Sequence, residues 1–429
     1  MTEKKLKVLI VGSGGREHTL AWACKQSPLV EEIFVAPGNA GISNLAQCVP
    51  LKVNDVEGLC QFAKKQAIDL TIVGPELPLM AGIVNRFQAE GLLVFGPREE
   101  AALIEGSKAF AKEIMQKYQI PTARYATFTK LADALTYIED HPLPLVIKAD
   151  GLAAGKGVVI CQTREEGAVT LQEMLEEERF GNAGKQVVIE EFLDGEEFSL
   201  MSFVHGEQVV PMPLAQDHKR IFDGDEGPNT GGMGAYSPVP HIPQAIYDRA
   251  VEQIVKPAAQ ALVSEGRPFT GVLYAGCIWT ADGPKVIEFN ARFGDPETQV
   301  ILPRLASDFV QVALATAKGE LSSMEITWKE EAALCVVIAS QGYPGSYPTG
   351  VPIHGLSEAA EQEDVLVFHA GTTRDPATGE TLTAGGRVLG VTALGPGMKA
   401  AQDRAYEGLK PIQFKGMQYR KDIGWRAIR

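Results

Sequence analysis

Glu288, Asn290 and Arg292 recur at every second position within Lys285-Val286-Ile287-Glu288-Phe289-Asn290-Ala291-Arg292-Phe293-Gly294-Asp295-Pro296-Glu297-Thr298-Gln299. Period two is the period of an extended strand, so these three share one face with Val286. Ile287, Phe289 and Ala291 then form an apolar face fit for a core. The polar face brings together a carboxylate, an amide oxygen and a guanidinium. Hard divalent cations take oxygen ligands, and magnesium usually keeps only one or two protein groups beside water and phosphate oxygens. Glu288 and Asn290 are therefore candidate metal ligands, and Arg292 a bidentate anion grip. Gly294-Asp295-Pro296 ends the strand, and Pro296 suits the first turn of a following helix. A half-exposed edge strand shows the same period, so the rest of the chain must decide.

A second concentration of charge and glycine lies at Leu145-Val146-Ile147-Lys148-Ala149-Asp150-Gly151-Leu152-Ala153-Ala154-Gly155-Lys156-Gly157-Val158-Val159-Ile160. A phosphate loop of the Walker type needs four residues between its glycines, then Lys-Ser/Thr and a helix. Here three residues intervene, Gly157 replaces the hydroxyl, and a strand follows, so that motif is excluded. What remains is a hairpin whose backbone N–H groups close over phosphates, with Lys148 and Lys156 as counter-charges. Downstream, Val187–Phe192 reads as a strand running into the acidic turn Leu193-Asp194-Gly195-Glu196-Glu197. Backbone groups of such a turn can read an adenine edge, and a following Glu can hold ribose hydroxyls. Gln216-Asp217-His218-Lys219-Arg220 and Gly227–Ser237 form a long glycine-dense segment without apparent secondary structure, which is usually functional. His218 there reads as structural.

These groups must be carried by a scaffold. Strand-like Leu6–Val11, Ile33–Ala36, Leu70–Val73 and Leu92–Phe95 alternate with helical Val56–Lys65 and Leu79–Ala89, the rhythm of a parallel sheet covered on both faces. The first turn, Gly12-Ser13-Gly14-Gly15-Arg16-Glu17, is not a dinucleotide fingerprint: Glu17 stands where its third glycine belongs, and Pro37-Gly38-Asn39 replaces the ribose-binding acid. A glycine turn before a helix still suits phosphate, so Gly14 and Gly15 are expected to offer N–H groups to a sugar phosphate. Glu76, at a neighbouring strand end, is expected on its ribose hydroxyls or amine. Ser107 reads as the N-cap of a helix through Tyr118. A helix Ala245–Val263 leads to a strand Gly271–Trp279 that pairs with the opening one. From about residue 330, strands Ala332–Ala339, Val365–Ala370 and Arg387–Ala393 and a helix Lys399–Leu409 show no polar constellation.

The chain has 429 residues, enough for two to four domains. A net charge of −14 without a Lys/Arg block removes the footprint of a nucleic-acid binder. No apolar run reaches membrane-spanning length, and Met1–Lys5 leads into a strand rather than a signal segment. Six scattered cysteines without CxxC spacing read as reduced thiols of a cytoplasmic protein.

Taken in order, the glycine turn, Ser107-Lys108, Lys148 with its loop, the 190–197 turn and Glu288-x-Asn290 resemble the ATP-grasp ligases. The chain is more closely similar to the phosphoribosylamine–glycine ligase family, nearly end to end. The most specific stretches are 148–157, 216–220, 228–238, 286–299 and Gly416-Met417-Gln418-Tyr419-Arg420-Lys421-Asp422-Ile423-Gly424. Ala291 departs from a Cys expected in many relatives; on the apolar face it should alter packing more than chemistry.

The resemblance implies an α/β, multidomain ATP-grasp fold. Its parts would be an N-terminal doubly wound parallel-sheet domain at 1–104, an ATP-grasp region at 105–329 with a mobile flap domain near 122–192, and a C-terminal β-rich domain at 330–429. The extra synthetase domains of fused eukaryotic versions are expected to be missing. It also implies ATP with Mg2+ or Mn2+, and joining of glycine to 5-phosphoribosylamine through a glycyl phosphate, an early step of purine synthesis. Lys108, Lys148, Gly151, Gly155, Lys156 and Gly157 would meet the ATP phosphates, and Glu190, Glu191, Phe192, Leu193 and Glu197 its base and ribose. Gly14, Gly15, Glu76, Asp217, Asn229, Thr230, Gly231, Gly232, Arg292 and Asp295 would surround the substrates. Arg292, Lys148, Asp217 and Lys219 would stand at the reacting atoms, and Glu288 and Asn290 on the metal. The expected partners are small molecules only, without nucleic acid or membrane, and the chain is expected to be a monomer or weak dimer. An NAD-dependent oxidoreductase and a non-catalytic nucleotide binder are the rivals from other classes, and glycine-dependent release of ADP separates the ligase from both. A sister ligase is disfavoured by the 216–237 segment.

Overall fold

Residues 5–151, 157–176 and 185–428 are described by a computed structural model. Near the N-terminus, five parallel strands lie in the order Gln47–Cys48, Val30–Pro37, Leu6–Gly12, Leu70–Val73 and Val94–Phe95. The central strands are almost wholly apolar, as a sheet covered on both faces requires. The helix expected over Leu79–Ala89 is instead two, Glu76–Met80 and Ile83–Ala89. Gly82 takes a left-handed φ of 73° between them, which ends the first helix.

A smaller sheet orders Tyr125–Phe128, Val187–Glu191, Leu145–Ala149 and Val158–Cys161, all antiparallel. Helices Leu131–Asp140 and Arg164–Leu175 cover it around a core of its own that includes Ile138, Ile147, Leu171 and Ile189. The central sheet is Gln208–Pro211, Glu196–His205, Thr270–Thr280 and Gly283–Asn290, again antiparallel. The helix anticipated over Ala245–Val263 runs as Gln244–Ala250, a wide π-type turn Val251–Val255, and Lys256–Ser264. Pro257, which lacks an N–H and crowds the carbonyl four residues back, accounts for the widened turn.

The segment 216–237 is more regular than its composition suggests. It contains short strands Gln216–Asp217, Arg220–Phe222, Glu226–Asn229 and Gly234–Ser237. The last pairs with Ala332–Ser340, which pairs with Arg387–Gly395 and so with Val365–His369. Helix Met398–Leu409 packs on this third antiparallel sheet. Phe293 is the keystone between sheets: its ring lies 6.1 Å from that of Phe95, 6.2 Å from Phe203 and 6.0 Å from Phe309. Arg292 is thereby anchored next to a rigid aromatic cluster. Among the described residues no helix is long and apolar enough to cross a membrane.

Candidate active site

The hairpin Thr270–Thr280/Gly283–Asn290 does not keep a simple alternation. Gly276 pairs with Glu288 and Cys277 with Val286, leaving Ile287 as the extra residue of a bulge. The two faces anticipated from period two are therefore wrong upstream of Glu288. Val286 is fully buried in the core with Phe289 and Ala291, whereas Ile287 faces the cleft. The bulge also exposes the Ile287 carbonyl, which accepts from Lys148 Nζ at 3.0 Å. Glu288, Asn290 and Arg292 stay together on the cleft wall, as the spacing predicted.

That wall belongs to a cleft of about 610 Å³ between the sheets. One end is apolar, lined by Ala111, Met115, Val158, Ile287 and Phe289. Lysines border it. Lys148 and Lys112 both reach the buried Glu190, at 3.0 and 3.2 Å. Burial lowers the Lys112 ammonium to about 8 against the pull of Glu190. Lys108 starts helix Lys108–Lys117, and Ser107 caps it as expected, accepting from Phe110 N–H at 3.1 Å. Asp150, which the sequence did not single out, reinforces that cap by accepting from Ala109 N–H at 2.6 Å, and Lys108 Nζ donates to Gly151 O at 3.2 Å. Asp150 and Gly151 are thus joined to the start of that helix beside the cleft. Gly157 lines the cleft; Gly155 and Lys156 lie outside the described residues.

The adenine and ribose set is only partly gathered. Glu190 is a buried counter-ion of two lysines. Glu191 is engaged by Arg124, whose N–H and Nε donate to its two oxygens at 3.0 and 2.8 Å. Its carboxylate is therefore committed elsewhere. Phe192 is 41% exposed, and neither it nor Leu193 lines the cleft. Glu197 pairs with Lys219 at 2.8 Å.

At the other end Arg292 is held in place by carboxylates. Its Nη2 lies 2.8 Å from Glu105 Oε1 and its Nε 3.5 Å from Glu76 Oε2. Nη2 also donates to Asn290 Oδ1 at 3.2 Å. Glu105 accepts from Ala291 N–H at 2.7 Å as well, and burial pushes its carboxyl up despite Arg292. Glu76 is held below the usual range: burial opposes ionisation, but Arg292 and Arg16 outweigh it. Asp217, Lys219, Asn229, Thr230 and Gly231 line the same end. Burial raises the Asp217 carboxyl, with Lys219 opposing and Glu297 and Glu197 adding to the rise. Glu297 is buried and accepts from Tyr274 OH at 2.5 Å and Ser199 Oγ at 3.0 Å. Asp295 lies between domains, 3.4 Å from Arg387 Nη1 and accepting from Arg16 N–H at 3.3 Å. Gly232 sits behind the wall at φ 111°, against Pro296. The tail expected to lack polar groups in fact supplies Arg387, Tyr343 and Tyr347 to this end.

The N-terminal glycine turn corrects a further expectation. Gly14 N–H is already donated to Glu17 Oε2 at 2.6 Å, so it is not on offer to a substrate. The Glu17 side chain lies against Gly12 and Gly74, in the crevice between the ends of adjacent strands, and ion-pairs with Arg16 Nε at 2.5 Å. A side chain on Gly15 would meet Gln299 Nε2 at 2.6 Å, so this glycine serves close packing. Arg16, Glu105, Glu297 and Arg387 were invisible in sequence because each is an isolated charge that only the tertiary fold brings to the cleft.

Among the described residues no cluster of three or more His, Cys, Asp or Glu makes a dedicated metal cage. Glu288 and Asn290 offer two hard oxygen donors, the small protein share that magnesium or manganese takes beside phosphate oxygens. The Asn290 amide oxygen meets only Arg292, which leaves it a lone pair. The residues fit such an ion.

Comparison with known proteins agrees along the whole chain. Patterns described as Phosphoribosylglycinamide synthetase N domain, ATP-grasp (A) domain and C domain match residues 6–105, 106–298 and 333–426. A phosphoribosylamine–glycine ligase of Halalkalibacterium halodurans is 56% identical over 423 residues, covering 99% of this chain and 97% of that protein. The chain belongs to the phosphoribosylamine–glycine ligase family. Another relative of that name, from Salmonella typhi, is 53% identical over 426 residues, 99% of each chain. The crystal structure of a phosphoribosylamine–glycine ligase from Thermotoga maritima superposes with a TM-score of 0.85 at 34% identity, covering 97% of this chain and 100% of that one. A biotin carboxylase of Campylobacter jejuni shares the fold alone, with a TM-score of 0.74 at 12% identity over 98% of this chain and 94% of that one.

Proposed function

We propose that this cleft ligates glycine to 5-phosphoribosylamine, converting ATP to ADP and phosphate and yielding glycinamide ribonucleotide in purine synthesis. One observation carries the reading in a member of this family: a lysine-bordered apolar slot and a pole of fixed arginines and carboxylates meet at Glu288 and Asn290. The adenine occupies the slot of Met115, Val158, Ile287 and Phe289, and Lys108 and Lys148 face the phosphates. A glycine carboxylate oxygen attacks the γ-phosphorus, the bond to the β-bridging oxygen breaks, and ADP leaves. The amine nitrogen of phosphoribosylamine then attacks the acyl carbon, the C–O bond to phosphate breaks with its electron pair on oxygen, and nitrogen releases one proton.

Such transfers depend on positioning and charge neutralisation. Glu288 and Asn290 would hold Mg2+ or Mn2+, which would supply neutralisation at the phosphate oxygens. Arg292, immobilised by Glu105 and Glu76, binds the transferring group or the glycine carboxylate. We assign the released proton to Asp217, whose burial gives it the basicity of a general base. Strands Leu145–Ala149 and Val158–Cys161, beside the cleft, help to exclude water from the acyl phosphate. With magnesium salt, the purified protein should release ADP over many turnovers only when both glycine and freshly made phosphoribosylamine are present. ADP release independent of glycine, or tight NAD binding, would overturn the reading.

A further inference from the structure

The segment that brings Asp217 and Lys219 to the cleft is held from behind by the C-terminal residues. Asp217 and Lys219 line the cleft, but His218 between them turns the other way. It is 1% exposed, and its Nε2 accepts from Gly424 N–H at 3.0 Å. Beside it Arg420 is also 1% exposed, and four hydrogen bonds hold its guanidinium. Nε and Nη2 donate to the two oxygens of Asp422 at 2.8 and 2.7 Å. Nη1 donates to Asp225 Oδ1 at 2.8 Å and to Arg220 O at 3.2 Å. Two further bonds join the same two stretches of chain: Gly224 N–H to Asp422 Oδ2 and Lys421 N–H to Asp223 Oδ1, each 2.8 Å. Arg420, Asp422 and Gly424 do not line the cleft.

A buried guanidinium is costly unless every partner is in place, so such a network tolerates one relative placement of its two segments. The placement is passed on to the cleft. Thr230 N–H and Oγ1 both donate to Lys219 O, at 2.7 and 2.8 Å, so Asn229–Gly231 follow Lys219. A displacement of about 1 Å at a reacting group costs on the order of 100-fold in rate.

We propose that Arg420 and His218 are positioning residues of the substrate end, fixing Asp217 and Lys219 from behind although no substrate reaches them. This rests on the ligase reading given above. Lysine cannot span Asp225 and Asp422 with a planar fork, so Arg420→Lys tests the clamp; His218→Phe removes one acceptor and His218→Gln restores one. In folded Arg420→Lys and His218→Phe, kcat should fall or KM for phosphoribosylamine should rise about 10- to 100-fold, with KM for ATP within about twofold. His218→Gln should recover most of the loss. Amide hydrogen exchange across residues 217–231 should quicken in the first two variants, whatever the activity. Unchanged exchange, wild-type kinetics, or an equal loss towards ATP would each overturn the proposal. Should Arg420→Lys fail to fold, the isosteric Asp422→Asn takes its place under the same criteria. Absence of glycine-dependent ADP release from the wild type would instead defeat the ligase reading, leaving the exchange result to decide the positioning.

Discussion

Asn290 has one acceptor occupied by Arg292 and one facing the cleft, so its loss removes a ligand without emptying a core. Asn290→Ala should fold normally and lower kcat about 10²- to 10³-fold, the usual effect of deleting one transition-state charge partner; near-normal turnover at saturating magnesium would refute the assignment. Glu105 acts at one remove. Glu105→Gln keeps an acceptor for Ala291 N–H but takes away the charge that holds Arg292, and kcat/KM for glycine should fall about 10- to 100-fold. A value equal to wild type would mean that Arg292 does not depend on Glu105. Glu76 also contacts Arg292, so the effect of Glu76→Ala on phosphoribosylamine would mix a lost contact with a displaced arginine. Glu288, Asn290 and Arg292 were legible because strand period is written in the chain. Glu105 and Arg387 were not, since nothing local marks a lone charge as part of a distant cleft.

The hairpin carrying those residues shows where periodicity stops informing. A bulge is a property of two strands in register, and reading one strand alone put Val286 and Ile287 on the wrong faces. Gly276, a glycine inside the partner strand opposite Glu288, was the available sign. The glycines of segment 216–237 mark it as a functional expectation, whereas its four short strands, which pair with one another and through Gly234–Ser237 with Ala332–Ser340, are too short to carry a periodic signal of their own. The glycine hairpin was legible from composition, because two β-rich runs flank it. Binding of ATP with magnesium should slow hydrogen exchange at the amides of Gly151, Gly157 and Val158, as a hairpin closing over phosphates requires. Identical exchange with and without nucleotide would count against that closure.

Across the whole molecule the parallel sheet, the central hairpin and the C-terminal sheet meet through buried polar contacts whose pH dependence is readable. His18 Nδ1 accepts from His369 N–H at 2.7 Å, joining the N-terminal helix to the last sheet. Burial, then the neighbouring His369, pushes His18 down to about 3, and burial lowers His369 to about 4. An unfolded histidine titrates near 6.5. Below that pH the unfolded chain binds protons that the folded one refuses, so this contribution is complete above about 6.5 and is lost as pH falls towards the folded values. The urea midpoint should therefore drop on acidification from pH 7.5 to 5, and His18→Asn should flatten the drop. An equal slope in both proteins would exclude His18 as a source. The rhythm of strands and helices made the domain classes legible. The contact between the first helix and the last sheet was not, because it joins residues 351 apart.

The first glycine turn arrives with its negative charge already seated. Glu17 takes Gly14 N–H, and Asp295 takes Arg16 N–H, at the start of a helix, where anions are otherwise attracted. Orthophosphate is a product of the proposed reaction and is formed in every cycle. A vacant turn would collect it and hold it near the reacting centre. With two carboxylates in residence, the Gly14 and Arg16 N–H groups are already taken by the chain itself and are not left open to it.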